Sequence, residues 1–262
     1  DADGKKDIIT GGWWYKNPGL NSGVWERRNI GTNLNNIATL HDFDSDGDID
    51  ILGTQGTGAN ANANFVWAEN NGAGAFTIRN NIQAGDGDFL QGVEVAKFSP
   101  SDANKRVALS WHADNKGIQT LTVPSSPATQ TWPWQRISAV SQDEQLSAGD
   151  IDRDGDIDLM LGTKWLRNDG ALWNVFTLNP VSGNPDRNRL VDINKDGRLD
   201  AVVGFEAISV PGKLAWYEQP SSATSTWIEH VIATVVGPMS LDVKDMDGDG
   251  DFDVVVGEHN LA

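Results

Sequence analysis

Cysteine is absent from the chain, so disulfides, thiol chemistry and thiolate metal centres are all excluded. Tyrosine is almost absent too, with two residues against 11 tryptophans. Basic residues are scarce: 20 Lys and Arg stand against 37 Asp and Glu, a formal charge of −17 over 262 residues. That balance argues against nucleic acid and anionic membrane surfaces as partners, because both require basic patches. No apolar run of about 18 residues occurs, so membrane insertion by a helix is not expected. Capped segments with a 3.6-residue apolar period are missing as well, which leaves strands and turns.

What is present is an acidic motif, and it repeats. "DFDSDGDIDILG" at 42–53 is matched by "DIDRDGDIDLMLG" at 150–162, "DINKDGRLDAVVG" at 192–204 and "DMDGDGDFDVVVG" at 245–257. The chain opens on "DADGKKDIITGG", the same motif without its first position, and "KFSPSDANKRVALS" at 97–110 keeps the apolar flanks but loses most acids. Successive starts at 42, 97, 150, 192 and 245 give the spacing of a supersecondary unit. After most motifs come an aromatic segment with a turn ("WWYKNPG", "VWAENNG", "KWLRNDG", "AWYEQPS") and a second aromatic segment ("WERRNI", "FTIRNNI", "WQRI", "WNVFTL", "WIEHVI"). Each unit therefore reads as four short strands. The expected fold is an all-β β-propeller of four-stranded antiparallel blades.

The spacing inside the motif suits a hard cation. With Asp42 as position 1, Asp44 and Asp46 stand at 3 and 5, Gly47 at 6 permits a sharp turn, and Asp50 at 9 closes the cage. The same places hold Asp150, Asp152, Asp154 and Asp158; Asp192, Asn194, Asp196 and Asp200; and Asp245, Asp247, Asp249 and Asp253. Position 7 varies (Asp48, Asp156, Arg198, Asp251), as expected where only its backbone carbonyl coordinates. Oxygen ligands in a flexible loop suit Ca²⁺. The loop is not an EF-hand: position 12 holds Gly53, Leu161, Val203 or Val256 in place of a bidentate Glu, and a β run follows. The first loop offers Asp1, Asp3 and Asp7 only. In the worn copy Lys97 and Ser99 replace two acids, so no calcium is expected there, with the Lys97 ammonium standing in part for the missing cation. The bland alternative is a solvated acidic turn. A catalytic carboxylate pair is a weaker reading, since identical acids in four blades cannot all line one active site.

The motif and its flanking "W-Y-E-N" and "W-x-x-H-x-I" segments resemble the FG-GAP/VCBS repeat family over nearly the whole chain. That resemblance implies a calcium-decorated propeller, usually of seven blades, secreted or at the cell surface. Residues 1–262 read as a single propeller domain, an excerpt cut inside a blade at both ends: five blades nearly whole and half of another.

Strand alternation puts the acidic loops and the turns between third and fourth strands on one face. The loops between second and third strands and the connections between blades lie on the other, where a ligand is expected. Trp14, Trp67, Trp165 and Trp216 form one column, and Trp25, Trp134, Trp173 and Trp227 a second; both read as packing between blades. Trp13, Trp111 and Trp132 fit neither. Trp13 and Trp111 follow second strands on the candidate face, close to Gln55, His112, Lys164, Glu206, Glu258 and His259. Exposed indoles beside polar groups suit sugar rings, whereas a buried Trp111 and ordinary surface histidines would be the bland reading. The first functional expectation is a non-catalytic, calcium-stabilised propeller, a monomer or part of a larger chain, binding a glycan or an extracellular protein. The second is a polysaccharide lyase or sugar dehydratase, with His112, His259 and Lys164 as its only acid–base and neutralising groups. The third is a structural spacer.

Overall fold

A computed structural model describes residues 1–262 except 2, 20–22, 32, 33, 35, 56–60, 143, 144, 181, 182, 208, 209 and 259–262. Its strands form six antiparallel meanders, each with its strands side by side in chain order. Sheet 1 holds β1 (Ile8–Thr10), β2 (Trp13–Lys16) and β3 (Glu26–Asn29). Sheet 2 holds β4 (Asn36–His41), β5 (Asp50–Thr54), β6 (Phe65–Asn70) and β7 (Phe76–Arg79). Sheet 3 holds β8 (Leu90–Ala96), β9 (Arg106–Trp111), β10 (Ile118–Thr122) and β11 (Trp134–Ser138). Sheet 4 holds β12 (Ser147–Gly149), β13 (Asp158–Met160), β14 (Lys164–Asn168) and β15 (Trp173–Thr177). Sheet 5 holds β16 (Asn184–Val191), β17 (Asp200–Glu206), β18 (Pro211–Glu218) and β19 (Ile228–Val236), and sheet 6 holds β20 (Pro238–Lys244) and β21 (Asp253–Glu258). Four sheets are therefore complete four-stranded units, as the repeat demands.

The sheets stack face to face, and their first strands meet in succession: β4 touches β8, β8 touches β12, β12 touches β16 and β16 touches β20. One apolar cluster fills each gap. Trp14, Ile51 and Val66 lie between sheets 1 and 2; Leu52, Trp67, Val107, Leu109 and Trp132 between 2 and 3. Phe98, Ala108, Leu159 and Leu166 follow, then Met160, Trp165, Val203 and Tyr217, then Val202, Leu214 and Leu241. Covering on both faces explains why the second strands read as continuous apolar runs: every residue of β5 and β13 is buried. Fourth strands such as β15 have no buried residue and lie partly open to water.

Register corrects one tryptophan column. Trp14, Trp67, Trp165 and Trp216 do occupy one position, paired with Ile9, Leu52, Met160 and Val202. In sheet 3, however, Trp134 pairs with Leu121, as Glu229 pairs with Tyr217 in sheet 5. The counterpart of Trp227 is Trp132. Both are fully enclosed, and both indole N–H groups donate to a carbonyl a few residues back, Pro127 O at 3.0 Å and Ala223 O at 2.8 Å.

Two residues in from the acidic end of the first strands, register aligns Thr39, Glu94, Ser147, Arg189 and Asp242. Arg189 Nε donates to Asp242 at 3.0 Å and Ser147 Oγ to Asn188 O at 3.1 Å. Burial pushes the Glu94 carboxyl up to about 7, against the pull of the Arg189 charge.

Candidate functional site

The acidic loops share one backbone. Position 4 is left-handed in Ser45, Arg153 and Lys195 (φ 65°, 66° and 59°), and so is the position-6 glycine in Gly47, Gly155, Gly197 and Gly250 (φ 97°, 96°, 83° and 93°). This turn aims backbone N–H groups at the position-1 carboxylate. Asp42, Asp150, Asp192 and Asp245 accept from Gly47, Gly155, Gly197 and Gly250 at 3.2, 3.1, 2.8 and 3.0 Å.

Position 9 is the structural pivot. Asp50, Asp158 and Asp200 are wholly buried at the start of the second strand. Each accepts one N–H from position 2 (Phe43, Ile151, Ile193) and one from the end of the third strand (Asn70, Asn168, Gln219) at 2.8–3.1 Å. Two of those third-strand residues also reach across to the preceding sheet. Asn168 Nδ2 donates to Phe98 O at 2.8 Å, and Gln219 Nε2 to Ile151 O at 2.9 Å. A continuous hydrogen-bonded path thus runs from Phe98 through Asn168, Asp158, Ile151 and Gln219 to Asp200.

Ligand atoms converge in three loops: Asp42, Asp44 and Asp50; Asp150, Asp152 and Asp158; and Asp245, Asp247 and Asp253, within 4.8 Å in each group. Without a cation these carboxylates oppose one another. Burial, then neighbouring charge, raises Asp44 and Asp152, and burial lifts Asp50 to about 6 and Asp158 to about 7. Asp150 Oδ1 is buried with no partner among the described residues. The Trp67 and Trp216 indoles lie beside Asp50 and Asp200 and favour their ionised forms, although the buried N–H groups close no hydrogen bond there. Three carboxylates, one of them in sheet 4 with an orphaned oxygen, make a donor set that fits Ca²⁺. The position-5 acids lie outside these groups of three, and through one carboxylate oxygen Asp46, Asp154 and Asp249 accept the N–H of Asp48, Asp156 and Asp251 at 2.9, 2.9 and 2.8 Å. In the first loop Asp7 keeps its third-strand contact, to Asn17 N at 2.8 Å, while Lys16 pairs with Asp1 and lies 3.5 Å from Asp3.

The worn loop of sheet 3 does not turn inward the expected Lys97, which is exposed. Register puts Arg106 where the other sheets have the position-9 Asp. Its guanidinium pairs with Asp102 at 2.6 Å and lies 5.2 Å over the Phe98 ring. The third-strand contact becomes a backbone bond, Val123 N to Lys105 O at 3.0 Å.

On the opposite face, Gln55, Trp111–His112, Glu206 and Glu258 do fall at or just beyond the ends of second strands, and Lys164 opens β14. His259 lies outside the described residues. Trp111 departs from the exposed ring that sugar stacking requires: it is fully buried against Phe65, under the segment that carries Gly85 and Gly87, where any side chain would run into the indole. Trp13 is exposed, but on the side of sheet 1 turned away from sheet 2, with Arg27 4.3 Å over its ring. Glu258 accepts from Val236 N at 2.9 Å. His112 is held by its neighbours. Its ring stacks on Phe89 at 4.4 Å, and Nδ1 lies 2.9 Å from Asp88 Oδ2. Beside it, Asp86 pairs with Arg136 and, at 3.0 Å, with Lys116. This charged group was missed in the sequence because Asp86 and Asp88 sit in a connection between sheets, outside every acidic motif.

Acidic loops recur at the head of the second strands within these meanders. Residues 192–256 match the model of the FG-GAP-like repeat. No curated protein matches the chain. Among solved structures, the chain is similar to the rhamnogalacturonan lyase YesW, at 17% identity and a TM-score of 0.52 over 97% of this chain and 51% of that one. An exo-β-1,3-galactanase from Phanerochaete chrysosporium, solved with β-1,3-galactotriose, aligns at 14% identity and a TM-score of 0.48 over 87% of this chain and 54% of that one. The chain spans about half the length of these structures. The first likeness is one of fold, to a propeller-type enzyme.

Proposed function

We propose that this FG-GAP-like chain is part of a secreted or cell-surface β-propeller, stabilised by calcium in its acidic loops, that binds carbohydrate without catalysis on the face away from those loops. The observation that carries the scaffold half is the threefold recurrence of three converging carboxylates on one backbone. Melting with and without a chelator tests it: the melting temperature falls on chelation, and an unchanged value sinks the calcium reading. The glycan half is supported by the polar, charged surface around His112, Lys116 and Arg136, and by the name of the lyase whose fold it shares. With Trp111 buried, hydrogen bonds and charge carry recognition in place of indole stacking, which favours acidic sugars. A glycan array with the intact protein tests this, acidic oligosaccharides being the expected hits.

A second reading, a polysaccharide lyase, is favoured by one arrangement. Asp88 holds the His112 imidazole as carboxylates hold a general base, and two cations stand close by. Ultraviolet absorbance from unsaturated products, lost on His112→Ala, would support it; no product from any polyuronide would reject it.

A further inference from the structure

Four loops match the acidic motif, and three of them bring together three carboxylates from positions 1, 3 and 9, whereas the fourth has two acids and an amide at those places. The exception is the loop of sheet 5, whose backbone is not at fault. Asp192 accepts Asp196 N at 3.0 Å and Gly197 N at 2.8 Å, and the left-handed turns at Lys195 and Gly197 are those of its counterparts. The difference lies in the side chains. Position 3 is Asn194, whose amide donates to Asp196 at 3.2 Å. Position 7 is Arg198, where the other three loops carry Asp48, Asp156 and Asp251. The Arg198 guanidinium folds back into its own loop: one amino group pairs with Asp196, and Nε donates to Gln219 O at 3.0 Å. It is half-buried there.

Two further cations flank the same loop. Arg153, projected by its left-handed backbone from the loop of sheet 4, donates to Gly197 O at 2.5 Å. Lys195 leaves in the other direction and pairs with Asp251 in the loop of sheet 6 at 2.6 Å. Beside the loop of sheet 2, among the described residues, Lys105 reaches the Asp42 carbonyl at 3.0 Å. In sheet 4, Arg167 stands 3.9 Å from Asp152 but is committed to Asp169 at 3.0 Å.

We propose that Arg198 is a built-in cation that takes the place of calcium in the sheet-5 loop, so that divalent ions bind at the loops of sheets 2, 4 and 6 and not at Asp192–Asp200. Sheet 5 then resembles sheet 3, where Arg106 does the same by a different route. The inference rests on the calcium reading above and refines it: a loop that matches the motif by sequence is closed by its own side chain. Lys16 closes the first loop in the same manner.

Counting ions in the intact protein tests this, by equilibrium dialysis against calcium chloride with elemental analysis. The expected wild-type count is three per chain. Arg198→Asp, which restores the residue found at position 7 in the other loops, raises the count by one. Arg198→Gln, which removes the charge with little change of volume, serves if the first variant misfolds, and it too adds an ion. A wild-type count of four or more, or a count that neither substitution raises, overturns the proposal while leaving the calcium reading intact. A wild-type count of zero overturns the calcium reading, and this proposal with it.

Discussion

Sheets 3 and 4 are neighbours with the same strand order, the same connections and a shared apolar cluster, yet their turns are held with opposite charge. In sheet 4, Asp158 is a buried carboxyl that gathers Ile151 N and Asn168 N and, with Asp150 and Asp152, offers a place for a cation from outside. In sheet 3, Arg106 is an internal cation satisfied by Asp102 and the Phe98 ring, and the turn needs nothing more. The backbone tolerates either solution because the requirement is only that the first turn be pinned to the third strand. A metal loop is thus one way of meeting a geometric demand that an ion pair meets as well, and the two should fail under different conditions.

The largest break in that comparison is expected from Asp158→Ala. It orphans two buried backbone N–H groups and removes a proposed metal ligand, and urea unfolding should show a loss of about 2–5 kcal/mol. Asp158→Asn, which keeps one acceptor, should lose less. Arg106→Ala is the matching cut in sheet 3. It removes a partly exposed ion pair and a cation–π contact, so the expected loss is about 1–2 kcal/mol. That loss should be equal with calcium and with chelator, whereas the effect of Asp158→Ala should shrink once the ion is gone. A calcium-dependent Arg106→Ala effect would mean that sheet 3 holds a metal after all. The smallest effect is a slope. Glu94 stands where sheet 4 has Ser147, and burial raises its carboxyl from the ordinary 4.5 to about 7. The folded state therefore holds a proton that the unfolded chain releases, and stability falls as pH rises from about 4.5 to about 7. Glu94→Gln should flatten the stability profile over that window in calcium-saturated protein; an unchanged slope would assign it to other groups.

Much of the fold was legible because its signals are local and repeated. The acidic turn fixes where the first strand ends and the second begins, and the third-strand tryptophans Trp14, Trp67, Trp165 and Trp216 fall in one register as their spacing suggests. Trp132 and Trp134 were harder to tell apart. They stand two residues apart, a separation at which strand side chains share a face, so only pairing across the sheet separates the counterpart of Trp227 from its neighbour. Between the exposed and the buried reading of Trp111 the sequence could not decide: the segment that buries it comes from more than twenty residues earlier and touches it through Gly85 and Gly87, which carry no pattern of their own. The Asp88–His112 pair and the Arg198 closure are likewise products of folding. In a sequence, an arginine at position 7 differs from an aspartate only in sign; the fold shows it turned inward.

The path from Phe98 through Asn168, Asp158, Ile151 and Gln219 to Asp200 also bears on how the molecule meets force. Ile151 lends its N–H to its own sheet and its carbonyl to the next, so a pull that peels sheet 5 from sheet 4 loads the same residue that anchors the turn of sheet 4. Stretched from its ends, this part of the chain should give way as one block in a single rupture and not as a series of separate yields. A protein built this way grips its load across neighbouring sheets.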